Sequence, residues 1–305
     1  MYRKLLTLLA AATLAAVGTA RADTGKLLLT GGVSSVDGAA GGGLTPWAVI
    51  GSNASQTEVG VTAHITRVNT TDYGLSTYGV TVGVFDRFEL SASRQDFATG
   101  ITGAALGLPG LHLKQNILAT KIKIAGDAVL DSDTLMPQIA VGVQFKSLDA
   151  GGLEPTLKSL GAKTEGTDVY VNATKLFLAQ GILVNATLRA TKANQNGLLG
   201  FGATLGGANN SYRIQPEISV AKLLSKNLAV GAEYRKMTNN LEVAGAAAGL
   251  GDALRAQDWK DIFIAWAPTK NLSLTLAYVD LGTIVPGFTN KRRQTGGYLS
   301  AQVAF

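Results

Sequence analysis

From Thr57 onward the chain alternates apolar and polar residues with a period of two, in segments of about ten residues, and few folds accommodate that pattern. Val59, Val61, Ala63 and Ile65 share one face, with Thr62, His64 and Thr66 on the other. Tyr78, Val80, Val82 and Val84 are set against Thr77 and Thr81, and Val169, Val171 and Ala173 against Asp168, Tyr170 and Asn172. At the carboxyl end Leu299, Ala301, Val303 and Phe305 alternate with Tyr298, Ser300, Gln302 and Ala304. Such segments are strands with one apolar face, and a fold built from them must give every apolar face a place away from water.

Composition narrows where that place is. Charged residues are 16% of the chain, below the ~25% of ordinary soluble domains, and 37 of the 305 residues are glycine. The chain is apolar, yet late stretches such as Val243 to Leu254 are short and mostly Ala and Gly, too short for a membrane-spanning helix. With no cysteine, neither disulfides nor thiolate metal sites can staple the fold. In hydrocarbon every backbone N–H and C=O needs an internal partner, which leaves only helices and closed barrels as spanning structures. The expected fold is therefore all-β: a transmembrane antiparallel up-and-down β-barrel.

The amino end carries the address. Arg3 and Lys4 precede an apolar run from Leu5 to Val17, followed by Ala20-Arg21-Ala22, the pattern of a secretory signal peptide cleaved near Ala22. The run falls short of the ~20 residues that span a bilayer as a helix. Arg3, Lys4 and Arg21 supply three of the six net positive charges, so the basic balance implies no nucleic-acid partner. The expected organisation is a signal peptide over 1–22, a glycine-rich segment over 23–56 and a barrel over 57–305.

Walking back from the carboxyl end, long links (282–294, 238–257, 192–210, 148–166, 98–111) alternate with shorter ones (268–271, 224–227, 179–180, 125–134, 86–87). Outer-membrane barrels have short periplasmic turns and longer external loops. Counting from Thr57 gives about 12 strands; admitting 23–56 as a first hairpin gives 14, and folding it into the lumen keeps 12. Within 192–210, the LLGFGATL portion can extend a strand above the bilayer. A closing strand that stops on Phe resembles the signal read by the outer-membrane barrel assembly machinery, with Tyr298, Leu299, Ala301, Val303 and Phe305 as its residues.

The segment GKLLLTGGVSSVDGAAGGGLTPWA, with TKLFLAQ, LAVGAEYR and PTKNLSLTLAYVDLG downstream, resembles the uncharacterised proteobacterial family known as domain of unknown function 3034. The resemblance covers essentially the whole chain after the signal. It implies an exported envelope protein, which the barrel reading places in the Gram-negative outer membrane, and brings no substrate and no catalytic residues.

If the apolar faces meet lipid, the polar faces point into the lumen, because a mid-depth Arg or Lys facing lipid costs about 2–4 kcal/mol. The pore-lining candidates are then Glu58, His64, Glu89, Lys121, Lys123, Asp168, Arg189, Arg213, Glu217, Glu233 and Arg235. These charges either select solutes or fill the interior with ion pairs. His64 and His112 lack the sequence surroundings of an outer-membrane lipase or protease, and no cluster has metal-ligand spacing, so neither enzyme activity nor a cofactor or metal is expected. GAAGGG lacks the strand and helix that a phosphate loop requires. Lys291, Arg292 and Arg293 are candidates for contact with lipopolysaccharide phosphates. Tyr78, Phe88, Trp259, Trp266 and Tyr278 are candidates for aromatic girdles. The functional expectation is a passive channel or transporter for a small or amphipathic solute, gated by the glycine-rich segment; the alternative is a non-transporting envelope barrel acting through its loops.

Overall fold

The computed structural model describes residues 29–128 and 135–305, so the expected signal peptide and its cleavage site lie outside the described residues. Two short strands, β1 (Val33–Ser34) and β2 (Ala40–Gly41), pair only with each other. Twelve further strands close into an antiparallel barrel: β3 (Val59–Thr70), β4 (Gly74–Val84), β5 (Phe88–Ala98), β6 (His112–Ala125), β7 (Gln138–Asp149), β8 (Glu165–Phe177), β9 (Ile182–Thr191), β10 (Arg213–Ser225), β11 (Leu228–Arg235), β12 (Trp259–Thr269), β13 (Leu272–Asp280) and β14 (Thr295–Ala304). Each pairs with its neighbours in sequence, and the seam is closed by β14 on β3, from Ala304 opposite Thr62 to Gly296 opposite Thr70. Beyond that ladder, Phe305 and Val61 exchange both backbone hydrogen bonds, at 2.8 and 2.9 Å. The barrel has no free edge.

The exterior is a band of exposed apolar side chains that includes Ile65, Val80, Leu90, Ile122, Phe145, Leu188, Ile218, Ile264, Leu276 and Leu299. Such a surface fits hydrocarbon, not water. The short turns and Phe305 share one end; three register shifts, at Leu223/Ser225, Trp266/Thr269 and Lys123/Ala125, sit beside turns at that same end. The other end carries the long links. One link there is tight, with Thr70 N–H bonded to Tyr73 O at 2.9 Å. The remaining long links fold into a canopy that contains three short helices, α1 (Gly100–Ala105), α2 (Glu154–Ser159) and α3 (Asn240–Ala247). The LLGFGATL stretch does not extend a strand: Leu198 and Phe201 are buried, and its only pairings are isolated bridges from Phe201 to Lys163 and Ala193.

Residues 33–52 run inside the barrel as a plug that adds no strand to its wall. Val36, Leu44, Trp47, Val49 and Ile50 are all buried. An irregular backbone at this depth must find partners, and the wall's polar side chains supply them. Gln95 and Thr81 donate to Val36 O and Gly38 O at 2.6 and 2.9 Å. Thr187 donates to Pro46 O at 2.9 Å and Gln138 to Ala48 O at 2.7 Å. The glycines of GAAGGG are required by close approach: a Cβ on Gly42 would lie 2.1 Å from Glu233 Oε1, and one on Gly41 would lie 2.1 Å from Thr45 O.

Candidate functional site

The inner face is layered along the barrel axis. In its middle, the wall grips the plug with charge. Asp37 of the plug lies 3.1 Å from Arg235 Nη1, 3.6 Å from Arg189 Nη1 and 3.7 Å from Lys146 Nζ. Arg189 Nε binds Glu217 at 2.5 Å, and Lys146 binds Asp168 at 2.9 Å. Toward the opposite wall, Glu89 accepts the N–H of Gly51 at 2.7 Å and pairs with Lys121 at 3.0 Å, whose ammonium also donates to Ala40 O and Trp47 O. Glu233 accepts the N–H of Leu44 at 2.7 Å and the hydroxyl of Thr45 at 2.6 Å. These groups are almost wholly buried, and they tie the plug to the wall.

Three of the eleven pore-lining candidates sit elsewhere. Glu58 precedes β3 at the short-turn rim, where it accepts the N–H of Ser55 at 2.9 Å. Lys123 lies at the same rim, 2.5 Å from Asp86. Arg213 opens β10 at the long-loop end and is exposed: β11 pairs with β10 only up to Glu217, so no neighbour encloses Arg213 on that side. His64 faces inward and is 5% exposed, with neither ring nitrogen hydrogen-bonded; His112 is outside, against Asp96. Among the described residues no group of three or more His, Cys, Asp or Glu could hold a metal ion.

Leu299, Val303 and Phe305 of the candidate assembly signal face outward, with Ala301 half-buried between them, whereas Tyr298 is inward and fully buried. Lys291, Arg292 and Arg293 are exposed, but each pairs with an aspartate, Asp252, Asp72 and Asp280 respectively, which ties the last long link to its neighbours. Of the girdle candidates, Tyr78, Phe88, Trp266 and Tyr278 point outward. Trp259 does not. It shares the inward parity of Asp261 and Phe263, is 3% exposed, and lies 5.7 Å beneath the Arg235 guanidinium.

Trp259 opens onto the feature that the sequence reading missed. Between the charged layer and the canopy is an apolar chamber of about 330 Å³. Its wall includes Val68, Leu75, Phe97, Leu113 and Trp259 at the strand ends, and its roof includes Leu157, Leu199, Leu241, Leu254 and Phe288 from four different links. No lining residue carries a charge, and the few polar groups are hydroxyls, Gln195 and the indole N–H of Trp259, which is buried without a hydrogen-bond partner. Tyr73 stands at its edge with its ring 5.1 Å from that of Phe97, its hydroxyl 2.6 Å from that of Thr102 and 3.2 Å from Ile284 O. Burial pushes the Tyr73 phenol up to about 12, so the chamber presents a neutral hydroxyl. The volume falls in the range of pockets that enclose small organic ligands.

Residues 30–302 match the family described as protein of unknown function (DUF3034). The chain belongs to that family. No curated protein matches this DUF3034 member in sequence. Among solved structures it is similar to the KdgM porin in complex with disordered oligogalacturonate, at 8% identity and a TM-score of 0.48 over 80% of this chain and 99% of that one. It is similar also to the NanC porin, at 8% identity and 0.48 over 80% and 98%, and to outer membrane phospholipase A from Escherichia coli, at 10% and 0.41 over 79% and 89%.

Proposed function

We propose that this DUF3034 protein sits in the Gram-negative outer membrane, long links outward, and admits small, neutral, apolar solutes. The observation that carries the reading is the uncharged apolar chamber beneath the canopy, directly above a plugged and charged lumen. A sugar or an anion would enter that chamber without partners for its polar groups, at a desolvation cost of several kcal/mol. An aromatic or aliphatic solute loses nothing polar there and gains about 25 cal/mol for each Å² of apolar surface it buries. The lipopolysaccharide layer excludes such solutes, so a barrel that holds one out of water at the outer rim gives it a route inward. In this reading passage goes with a shift of the plug, which the buried ties hold against the wall. Lys291, Arg292 and Arg293, exposed on the canopy, are proposed to meet lipopolysaccharide phosphates with the hydrogen-bonding capacity their aspartates leave over.

Entry of N-phenyl-1-naphthylamine, a neutral aromatic amine that fluoresces on reaching the inner bilayer layers, tests the reading in intact cells. Expression of the wild type should accelerate its entry, and Leu157→Lys, which places a charge in the chamber, should return entry to the rate of cells lacking the protein at equal surface abundance. No acceleration by a folded, surface-located wild type would reject transport and favour a barrel that acts through its loops.

A further inference from the structure

One short turn belongs to both the chamber and the plug. Gln195, Leu198 and Leu199 line the chamber, while Asn196, between them, reaches the charged layer. Asn196 Nδ2 donates to Asp37 Oδ1 at 2.6 Å. Its Oδ1 accepts from Lys146 Nζ and from Arg235 Nη2, each at 2.7 Å. Its backbone carbonyl accepts from Gln115 Nε2 at 3.1 Å. A single amide thus completes the shell of the plug's aspartate and of two of the three cations that hold it.

The turn has a fixed backbone shape. Gln195, Asn196 and Gly197 are all left-handed, with φ of +46°, +61° and +97°. Non-glycine residues adopt that region mainly in tight turns, as Phe85 and Asp86 also do here, and Asn accepts it more readily than Gln. The surroundings here are the wall on one side, where a Cβ on Gly197 would come within 2.3 Å of Gln115 Oε1, and the plug on the other. Packing of Leu198 and Leu199 into the chamber fixes the far end of the turn.

We infer that the 195–199 turn couples the two compartments: a solute that fills the chamber displaces Leu198 and Leu199, the turn shifts with them, and Asn196 lets go of Asp37. This rests on the chamber reading above and adds the means by which an occupied chamber loosens the plug. Linkage makes the effect reciprocal, so a loosened plug also changes chamber affinity.

Hydrogen–deuterium exchange of the plug amides at 36–47, followed by mass spectrometry on the full barrel in lipid nanodiscs, tests the coupling. N-phenyl-1-naphthylamine should raise plug exchange in the wild type by about tenfold or more, the scale of one lost hydrogen bond to a charged group. Asn196→Ala should raise it similarly with no probe present, and the probe should then add little. Gly197→Ala, strained by its φ of +97° and crowded by the Phe201 ring 2.6 Å from its Cβ, should behave like Asn196→Ala, while strand exchange reports that both variants are folded. Plug exchange at the wild-type level in both variants overturns the coupling, whatever the chamber binds. Accelerated cellular entry of the probe with no change in wild-type plug exchange also overturns it, and leaves the chamber reading standing.

Discussion

Leu44 and Glu233 are 189 residues apart in sequence, yet the backbone N–H of one donates to the carboxylate of the other at 2.7 Å. That bond joins an irregular segment to the barrel wall, and Thr45 adds a second to the same carboxylate at 2.6 Å. The plug is therefore held by hydrogen bonds and ion pairs from many strands, and its removal has separable consequences for permeability and for stability.

Deleting residues 30–52 removes the plug but none of the barrel's ladder pairs. The expected product is a folded, heat-modifiable barrel whose single-channel conductance in planar bilayers is well above that of the full chain. A truncated barrel that folds but conducts no more than the wild type would show that the plug is not what closes the lumen.

Asp37→Ala should be much more damaging than its size suggests. It leaves Arg189, Arg235 and Lys146 buried without the carboxylate they share, and breaking a buried ion pair from one side costs about 3–5 kcal/mol. The urea midpoint should fall accordingly, and Asp37→Asn, which keeps hydrogen bonding, should fall less. Equal midpoints for wild type and Asp37→Ala would contradict the role given to this network.

Trp259→Ala removes the indole from beneath Arg235 and enlarges the chamber at its lower wall. Large-to-small replacement of a buried aromatic costs about 3–5 kcal/mol. Entry of bulkier apolar probes should nonetheless rise relative to smaller ones. A shift in the opposite direction would place the limiting constriction somewhere other than the chamber.

Tyr73 gives the pH dependence. Its phenol is pushed from 10.0 up to about 12 by burial, so the native protein keeps a proton that the unfolded chain releases. The associated stabilisation is fully present below pH 10 and is lost as the pH rises from 10 toward 12. Difference absorbance at the phenolate band should show this late titration, and Tyr73→Phe should remove one phenol's share of it. Tyr73 ionising near 10 would mean that its site is open to water.

Much of the wall could be read directly, because an inward or outward position repeats every second residue. Thr62, His64 and Thr66 are buried and Ile65 is exposed, as alternation requires. β12 was harder. Trp259, Phe263 and Ala265 on its inner face are as apolar as Ile262, Ile264 and Trp266 on its outer face, so the pattern does not say which aromatic meets lipid. The canopy left a different kind of trace. Leu153, Leu157, Leu160, Leu198, Leu199, Leu241 and Leu254 occur in links that would be expected to be polar, and that leucine excess was the available sign of a second apolar interior. Which links converge could not be read, because their contacts depend on barrel closure and carry no periodicity. Asn196 was invisible for the same reason: an asparagine in a Gly- and Asn-rich link looks like ordinary turn chemistry until the plug is beside it.

The seam imposes an order of events. Residues 33–52 precede every strand of the wall, and β14 seals against β3, with Phe305 and Val61 exchanging hydrogen bonds, so the plug ends up enclosed by strands that all follow it in sequence. A plug left outside when the two strands meet would have to thread back through the mouth of a closed barrel to reach Asp37's partners. Wrapping the wall around a segment already seated on Glu89 and Glu233 avoids that threading, and makes the plug a template for closure as well as a stopper.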